Sequence, residues 1–341
     1  MGSSNLPTIS VLMSVYNGEK WLPESVSSIL NQTYLDFEFI IINDGSTDNS
    51  LSLLKKFALL DSRIKIFSKK NSGLAESLNY GISKSRGKWI ARIDADDIAS
   101  SQRLSKQLEL AEKDPNLVLV GSGLTIIDDN FNRGGIYQYP KRHNNLLRRI
   151  ALGLPFFPHS SAFFRADAAI EIGGYRKRLL RAQDQDLWLR LSEKGKITSI
   201  REPLIFLRKH NQQISSSESG KTQFIYSYLA MVCFFLRQTG KNDPIQTNSD
   251  NDFQKFFDFI YKKMDENSLF DFQNKLAKIK LEISEENNFF AKIILLLRTF
   301  IFDLPLAMYF FKSRLLGAIL VKNLAREWCK FHSNNNTMGK N

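Results

Sequence analysis

Between Ile9 and Ile127 the chain alternates two hydrophobic periods, and no other feature restricts its fold as much. Ile9 to Val15 and Phe37 to Ile42 are almost continuous apolar runs of strand length. Ile64 with Ile66, Trp89 to Ile93, and Leu117 to Ile127 give three more. Between them the apolar residues return at helical spacing: Leu22, Val26, Ile29 and Leu30; Leu51, Leu54 and Ala58; Leu74, Leu78 and Ile82; Leu104, Leu108 and Ala111. Buried strands separated by amphipathic helices predict an α/β fold with a mainly parallel sheet covered on both faces. Ligands of such sheets sit beyond the carboxyl ends of the strands, so chemistry is expected in the polar residues that follow each one.

From about residue 131 the pattern loosens, with loop signals at Arg133-Gly134-Gly135 and around Pro155 and Pro158. A composition shift places a boundary near residue 220. Residues 1–220 are expected to form the α/β domain and 221–341 a helical region rich in Phe, Leu and Lys. Thr222 to Leu236 is uncharged but short for a membrane span. Phe289 to Phe331 is strongly apolar, yet interrupted by Lys292, Arg298, Asp303, Lys312, Arg314, Lys322 and Arg326. Two readings stand for it: amphipathic helices on a membrane surface, or helices packed on the first domain. Met1 to Leu12 lacks the pattern of a secretory signal, and Cys233 and Cys329 are too few for a disulfide framework. The expected location is cytoplasmic, peripheral on the inner face of the plasma membrane if the helices bind it. A formal charge of +12, from 47 basic and 35 acidic side chains, calls for an anionic partner without naming it.

Three polar clusters carry the chemistry. Asp94-Ala95-Asp96-Asp97 follows the strand ending at Ile93. Carboxylates this close repel one another unless a cation lies among them, and oxygen ligands favour Mg or Mn. The structural alternative is a solvated turn that caps the next helix. Asn43-Asp44-Gly45-Ser46-Thr47-Asp48 follows the second strand, where Asp44 could accept from a base or ribose, or the whole could be turn punctuation. In Gln183-Asp184-Gln185-Asp186-Leu187-Trp188-Leu189-Arg190, Asp184 opens a helix, either as a general base or as ordinary helix-start chemistry. Neither a dinucleotide fingerprint nor a P-loop occurs, which removes the main support for NAD enzymes and P-loop NTPases.

Together these segments resemble family 2 glycosyltransferases of the GT-A fold, from Thr8 to about Ser217. The resemblance also rests on Ser10 to Glu19, Ser28 to Tyr34, Asn71-Ser72-Gly73-Leu74, Asn79-Tyr80-Gly81-Ile82 and Ile172-Gly173-Gly174-Tyr175. It implies a Rossmann-like mixed sheet and an enzyme of bacterial surface polysaccharide or lipopolysaccharide synthesis. That enzyme would move a sugar, with inversion, from a nucleotide-diphosphate donor, commonly UDP-linked, to a hydroxyl of a saccharide or lipid-linked acceptor. Val15, Tyr16, Glu19, Asp44, Ser46, Asn71, Gly73, Asp94 and Ala95 would line the nucleotide-sugar site. Asp96 would ligate Mn or Mg, and Asp184 would be the base. The family usually has Glu before that base, and here it is Gln183. The Gln-x-x-Arg-Trp motif of processive members is absent.

Arg176, Arg178 and Arg181 precede Asp184 on the expected acceptor side, facing a lipid diphosphate or anionic headgroups, or simply water. His159 and His210 fall where the family has polar residues near the active region, although a lone histidine is more often structural. Two rivals are a non-catalytic nucleotide-sugar-binding protein, suggested by Gln183, and a basic nucleic-acid-binding protein, suggested by the charge. The second lacks an RNP motif, a zinc finger and a continuous basic stripe, so no nucleic-acid partner is expected.

Overall fold

The computed structural model describes residues 6–151, 156–210, 220–247, 249–266, 319 and 321–332. In chain order, β1 (Ile9–Val15), α1 (Leu22–Leu30), β2 (Phe37–Asn43), α2 (Ser50–Leu60), β3 (Ile64–Ser68), α3 (Leu74–Lys84) and β4 (Trp89–Arg92) alternate as the hydrophobic periods require. Then follow β5 (Ile98–Ala99), α4 (Arg103–Glu112), β6 (Leu117–Ile127), β7 (Arg133–Tyr137), α5 (His143–Ala151), β8 (Phe163–Arg165), α6 (Ala166–Glu171), α7 (Gln183–Leu191) and β9 (Lys196–Arg208). Two longer helices, α8 (Gly220–Gln238) and α9 (Asp250–Glu266), follow.

The helices form where an apolar stripe can be buried. Leu22, Val26 and Ile29 turn the inner face of α1 to the core, and Pro23 pre-sets its first turn. They meet Val11, Met13, Phe39 and Ile41 from the sheet in one buried cluster. Among the described residues the strands make one sheet in the order β3-β2-β1-β4-β8-β6-β9-β5, with β7 paired to β6. Pairing is parallel from β3 to β4, as expected, but β8 enters antiparallel between β4 and β6. The long β6 runs parallel to β9, and β5 pairs antiparallel with β9. The sheet is therefore mixed.

The two antiparallel insertions build the site. Ile90 pairs with Phe164, so the segment leading into β8 lies beside the carboxyl end of β4. Ile98 pairs with Phe206, so the segment leaving β9 lies beside the residues between β4 and β5. One expectation fails in this region. Arg133-Gly134-Gly135, read as a loop, is the start of strand β7. All five β7 residues are exposed on a hairpin arm, so no apolar alternation marks them.

The chain divides into two compact units, 1–147 with 155–214 and 148–154 with 215–341. In the second, α9 buries Phe256, Ile260 and Met264, and Trp328 of the helical stretch 321–332 meets Phe256 and Phe259 at ring distances of 5.0 and 5.4 Å. No helix among the described residues is long and apolar enough to cross a membrane. Most of the Phe289 to Phe331 stretch, residues 289–318 and 320, lies outside the described residues.

Candidate active site

The loops after β1 and β2 are laced together. The Asn17 N–H donates to Ser46 Oγ at 3.1 Å, and Asn17 Oδ1 accepts from the Thr47 N–H at 2.8 Å. The Glu19 N–H reaches Asp48 at 3.0 Å, and Glu19 Oε2 accepts from the Asn49 N–H at 2.8 Å. Val15 is buried beneath them, while the Tyr16 ring is 54% exposed at the mouth. Gly45 has φ +74°, and a Cβ there would lie 2.7 Å from the Asn71 backbone nitrogen. The loops after β2 and β3 can thus approach only where a side chain is missing.

Asp44 closes that junction. Its carboxylate accepts from the Ser72 and Gly73 N–H groups at 2.9 and 3.0 Å and from Lys69 Nζ. Burial pushes Asp44 up, but the Lys69 ammonium and these hydrogen bonds outweigh it and hold it below the usual carboxylate range. Asp44 is almost wholly buried and braces the β3–α3 loop, while Asn71 and Gly73 stand exposed beside it.

Across the sheet, carboxylate oxygens of Asp94, Asp96 and Asp97 lie within 4.8 Å of one another. The three have different surroundings. Asp94 pairs with the buried Arg92 and accepts from Ser160 Oγ at 2.7 Å. Burial opposes its charge, yet the Arg92 guanidinium wins and Asp94 sits at about 2. Asp97 is buried, accepting from the Arg208 N–H at 3.0 Å and from Ser160. Burial, then the charges of Asp96 and Asp94, push Asp97 well up. Asp96 Oδ2 meets His210 Nε2 at 3.0 Å, and burial with the Asp94 charge pushes Asp96 up. Ala95 stands between them, 3.6 Å from where a Cβ on Gly18 would be. The first-strand loop and the acidic cluster are therefore neighbours.

Helix α7 supplies the third part. Ala182, just before it, is left-handed at φ 55°, a conformation that costs a non-glycine residue about 1–2 kcal/mol. Asp184 follows in the first turn. Burial pushes its carboxyl up, and it lies within the fields of Arg92 and Asp94. The buried Tyr175 hydroxyl meets His159 Nε2 at 2.7 Å, and burial keeps His159 well below its usual value, hence neutral. Gly174 has φ +63°, and a Cβ on it would come within 2.3 Å of Asn79 Oδ1. Asn79 in turn holds Tyr175 by two hydrogen bonds of 2.7 Å. Arg190 donates to the carbonyls of Ile172 and Gly174 at 2.9 and 2.6 Å.

A family model for glycosyl transferase family 2 matches residues 10–173. The O-antigen biosynthesis glycosyltransferase WbnJ of Escherichia coli is 36% identical over 220 residues, which cover 62% of this chain and 84% of that one. The chain belongs to glycosyltransferase family 2. The fold agrees. Staphylococcus aureus TarS 1–349 in complex with UDP-GlcNAc superposes with a TM-score of 0.56 at 17% identity, over 74% of this chain and 70% of that one. The mannosyltransferase PcManGT of Pyrobaculum calidifontis, in complex with GDP-Man and Mn2+, gives 0.54 at 15%, over 93% and 87%. This family 2 glycosyltransferase has the GT-A fold.

Asp94 and Asp96 thus share the acidic cluster, and Asp184 lies within the field of Asp94. Val15 ends β1, and Tyr16, Glu19, Ser46, Asn71 and Gly73 lie on the loops after β1, β2 and β3. Arg176 departs from its expected place. Its guanidinium pairs at 3.0 Å with Asp186, a fully buried carboxylate that Arg190 also holds at 2.8 Å. Such a carboxylate needs its partners inside, so Arg176 belongs to the frame of the glycosyltransferase and does not face an acceptor. Arg178 and Arg181 are partly buried, and Arg181 donates to the Leu180 carbonyl at 3.1 Å. Ser160, Trp21 and Arg92 were missed, and the contacts of His210 were not foreseen. Strand pairing brings Ser160 and His210 in from 66 and 114 residues away, and no local pattern signals that.

Proposed function

We propose that the chain is an inverting, metal-dependent transferase. It moves a sugar from a UDP-sugar to a hydroxyl of a saccharide or lipid-linked acceptor in surface polysaccharide synthesis. The observation that carries this reading is Asp184 in the first turn of α7, within the field of Asp94, one of three clustered carboxylates just beyond β4. A nucleotide-sugar donor is supported by the ligands of TarS and PcManGT, UDP by that of TarS alone, and the pathway by WbnJ.

The residues fit a hard divalent ion, Mn2+ or Mg2+. Burial, and after it the charges of neighbouring carboxylates, push Asp96 and Asp97 up, and a cation among them would relieve that repulsion. Asp96 would hold it, with Asp94 and His210 at hand. When bound, it would neutralise charge on the departing diphosphate. The protein does the rest. Tyr16 offers an exposed ring to the base, and the loops bearing Ser46, Asn71 and Gly73 border the ribose and sugar. Asp184 takes the proton from the acceptor hydroxyl, whose oxygen attacks the anomeric carbon. The nucleoside diphosphate leaves from the opposite face, so the configuration inverts. Residues 1–220 form this catalytic unit. The remainder, 221–341, carries 17 of the 47 basic side chains and works at an anionic membrane face.

The test is a panel of nucleotide sugars assayed with and without Mn2+, with the product anomer read by NMR. Transfer from a UDP-sugar, dependent on the ion and inverted at C1, is expected. A retained anomer, or full turnover in chelator, rejects the mechanism.

The raised Asp184 makes a second prediction. A base must be ionised to act, so turnover rises with pH as Asp184 loses its proton. Because burial pushes that titration upward, the acid limb of kcat at saturating Mn2+ should lie above the ordinary aspartate value of 3.8. A limb at or below it would remove Asp184 from the role.

A further inference from the structure

We infer that Asp129, at the tip of the β6–β7 hairpin, acts through Trp21 as a positioning residue for His210. The inference rests on the proposed metal reading. Asp129 Oδ1 accepts from Trp21 Nε1 at 3.0 Å, and Asp129 Oδ2 accepts from Lys20 Nζ at 2.6 Å. These partners are 108 and 109 residues away in sequence. The Trp21 ring stacks on the His210 ring, with centroids 3.9 Å apart and planes 23° from parallel. His210 Nε2 in turn meets Asp96 Oδ2 at 3.0 Å. One relay of contacts thus runs from the hairpin to the acidic cluster through Trp21 and His210, beside the Arg208 Nη1–Asp129 Oδ1 pair at 3.9 Å.

Each link restrains a different freedom. Stacking fixes the plane of the imidazole. The contact with Asp96 fixes which edge of that plane faces the carboxylates. The hydrogen bond that Trp21 Nε1 donates to Asp129 fixes the indole that does the stacking. Trp21 is 7% exposed, so its N–H has little water to fall back on. The hairpin tip is itself built to hold its shape. Asp128 Oδ1 accepts from the Asn130 and Asn132 N–H groups, each at 2.9 Å. Phe131 adopts φ 61°, and the Arg208 guanidinium lies 5.0 Å over its ring. Arg208 also donates from Nε to the Asp96 carbonyl at 3.1 Å. The hairpin therefore grips the end of β9 at Arg208 and, through Trp21, at His210. Partners that orient a metal ligand change metal affinity or activity by about 10–100-fold when removed.

The experiment measures Mn2+ affinity in the presence of UDP by calorimetry, together with donor KM and kcat. Asp129→Ala should weaken Mn2+ about tenfold and raise donor KM while leaving kcat nearly unchanged, because Asp184 is untouched. Asp129→Asn keeps an oxygen for the indole N–H and should stay within about twofold of wild type. Trp21→Leu should match Asp129→Ala. If Asp129→Ala does not fold, Trp21→Phe tests the same link, since it removes the N–H and keeps a ring. Unchanged affinity in the folded variants, with wild type binding Mn2+ normally, overturns the inference alone. Wild-type protein that bound no Mn2+ would defeat the metal reading and the inference with it.

Discussion

Asp184→Asn should lower kcat by about a thousandfold while donor affinity stays within about twofold of wild type. The substitution keeps the size and one oxygen of the side chain and removes only the capacity to accept a proton. A positioned base contributes about 10²–10⁴ in rate, and a thousandfold corresponds to about 4 kcal/mol of barrier. Donor binding should hardly respond, because the proposed nucleotide half lies on the loops after β1, β2 and β3. Calorimetric titration with UDP beside a transfer assay separates the two. Near-normal turnover in this variant would sink the assignment.

Asp96→Ala should act on the other half of the reaction. Its side chain is 26% exposed and meets His210 at 3.0 Å. Losing it should weaken Mn2+-dependent donor binding by more than about a hundredfold, since even partners behind a ligand are worth 10–100-fold. The melting temperature should move far less, because Asp97 carries the structural contacts to Arg208 and Ser160. If Mn2+ still tightened donor binding as in wild type, Asp96 would not be a ligand.

Much of this was legible in the chain because it is local. The buried strands from Ile9 to Ile93 announce themselves by composition, and α1 and α3 by their apolar stripes. The Asp94–Asp97 and Gln183–Arg190 clusters stand in plain sight after a strand and at a helix start. What stayed hidden depends on pairing between distant segments. The antiparallel entry of β8 brings Ser160 to Asp94, and the pairing of β9 with β5 brings His210 to Asp96. Strand β7 was hidden for a different reason: with every side chain exposed, it has no alternation to read. Arg176 misled because charge in a sequence says nothing of direction. A buried carboxylate, Asp186, turned it inward.

The grip of Asn79 on Tyr175 has a consequence for how such a chain diversifies. Asn79 belongs to α3, whose preceding loop would border the donor in the proposed function, and Tyr175 belongs to the segment that leads into α7. On the proposed reading, this grip would set the spacing between the donor loop and the helix that carries the base. On that same reading, new acceptors could be adopted by changing exposed positions such as Leu180 or the β7 arm while that spacing is kept.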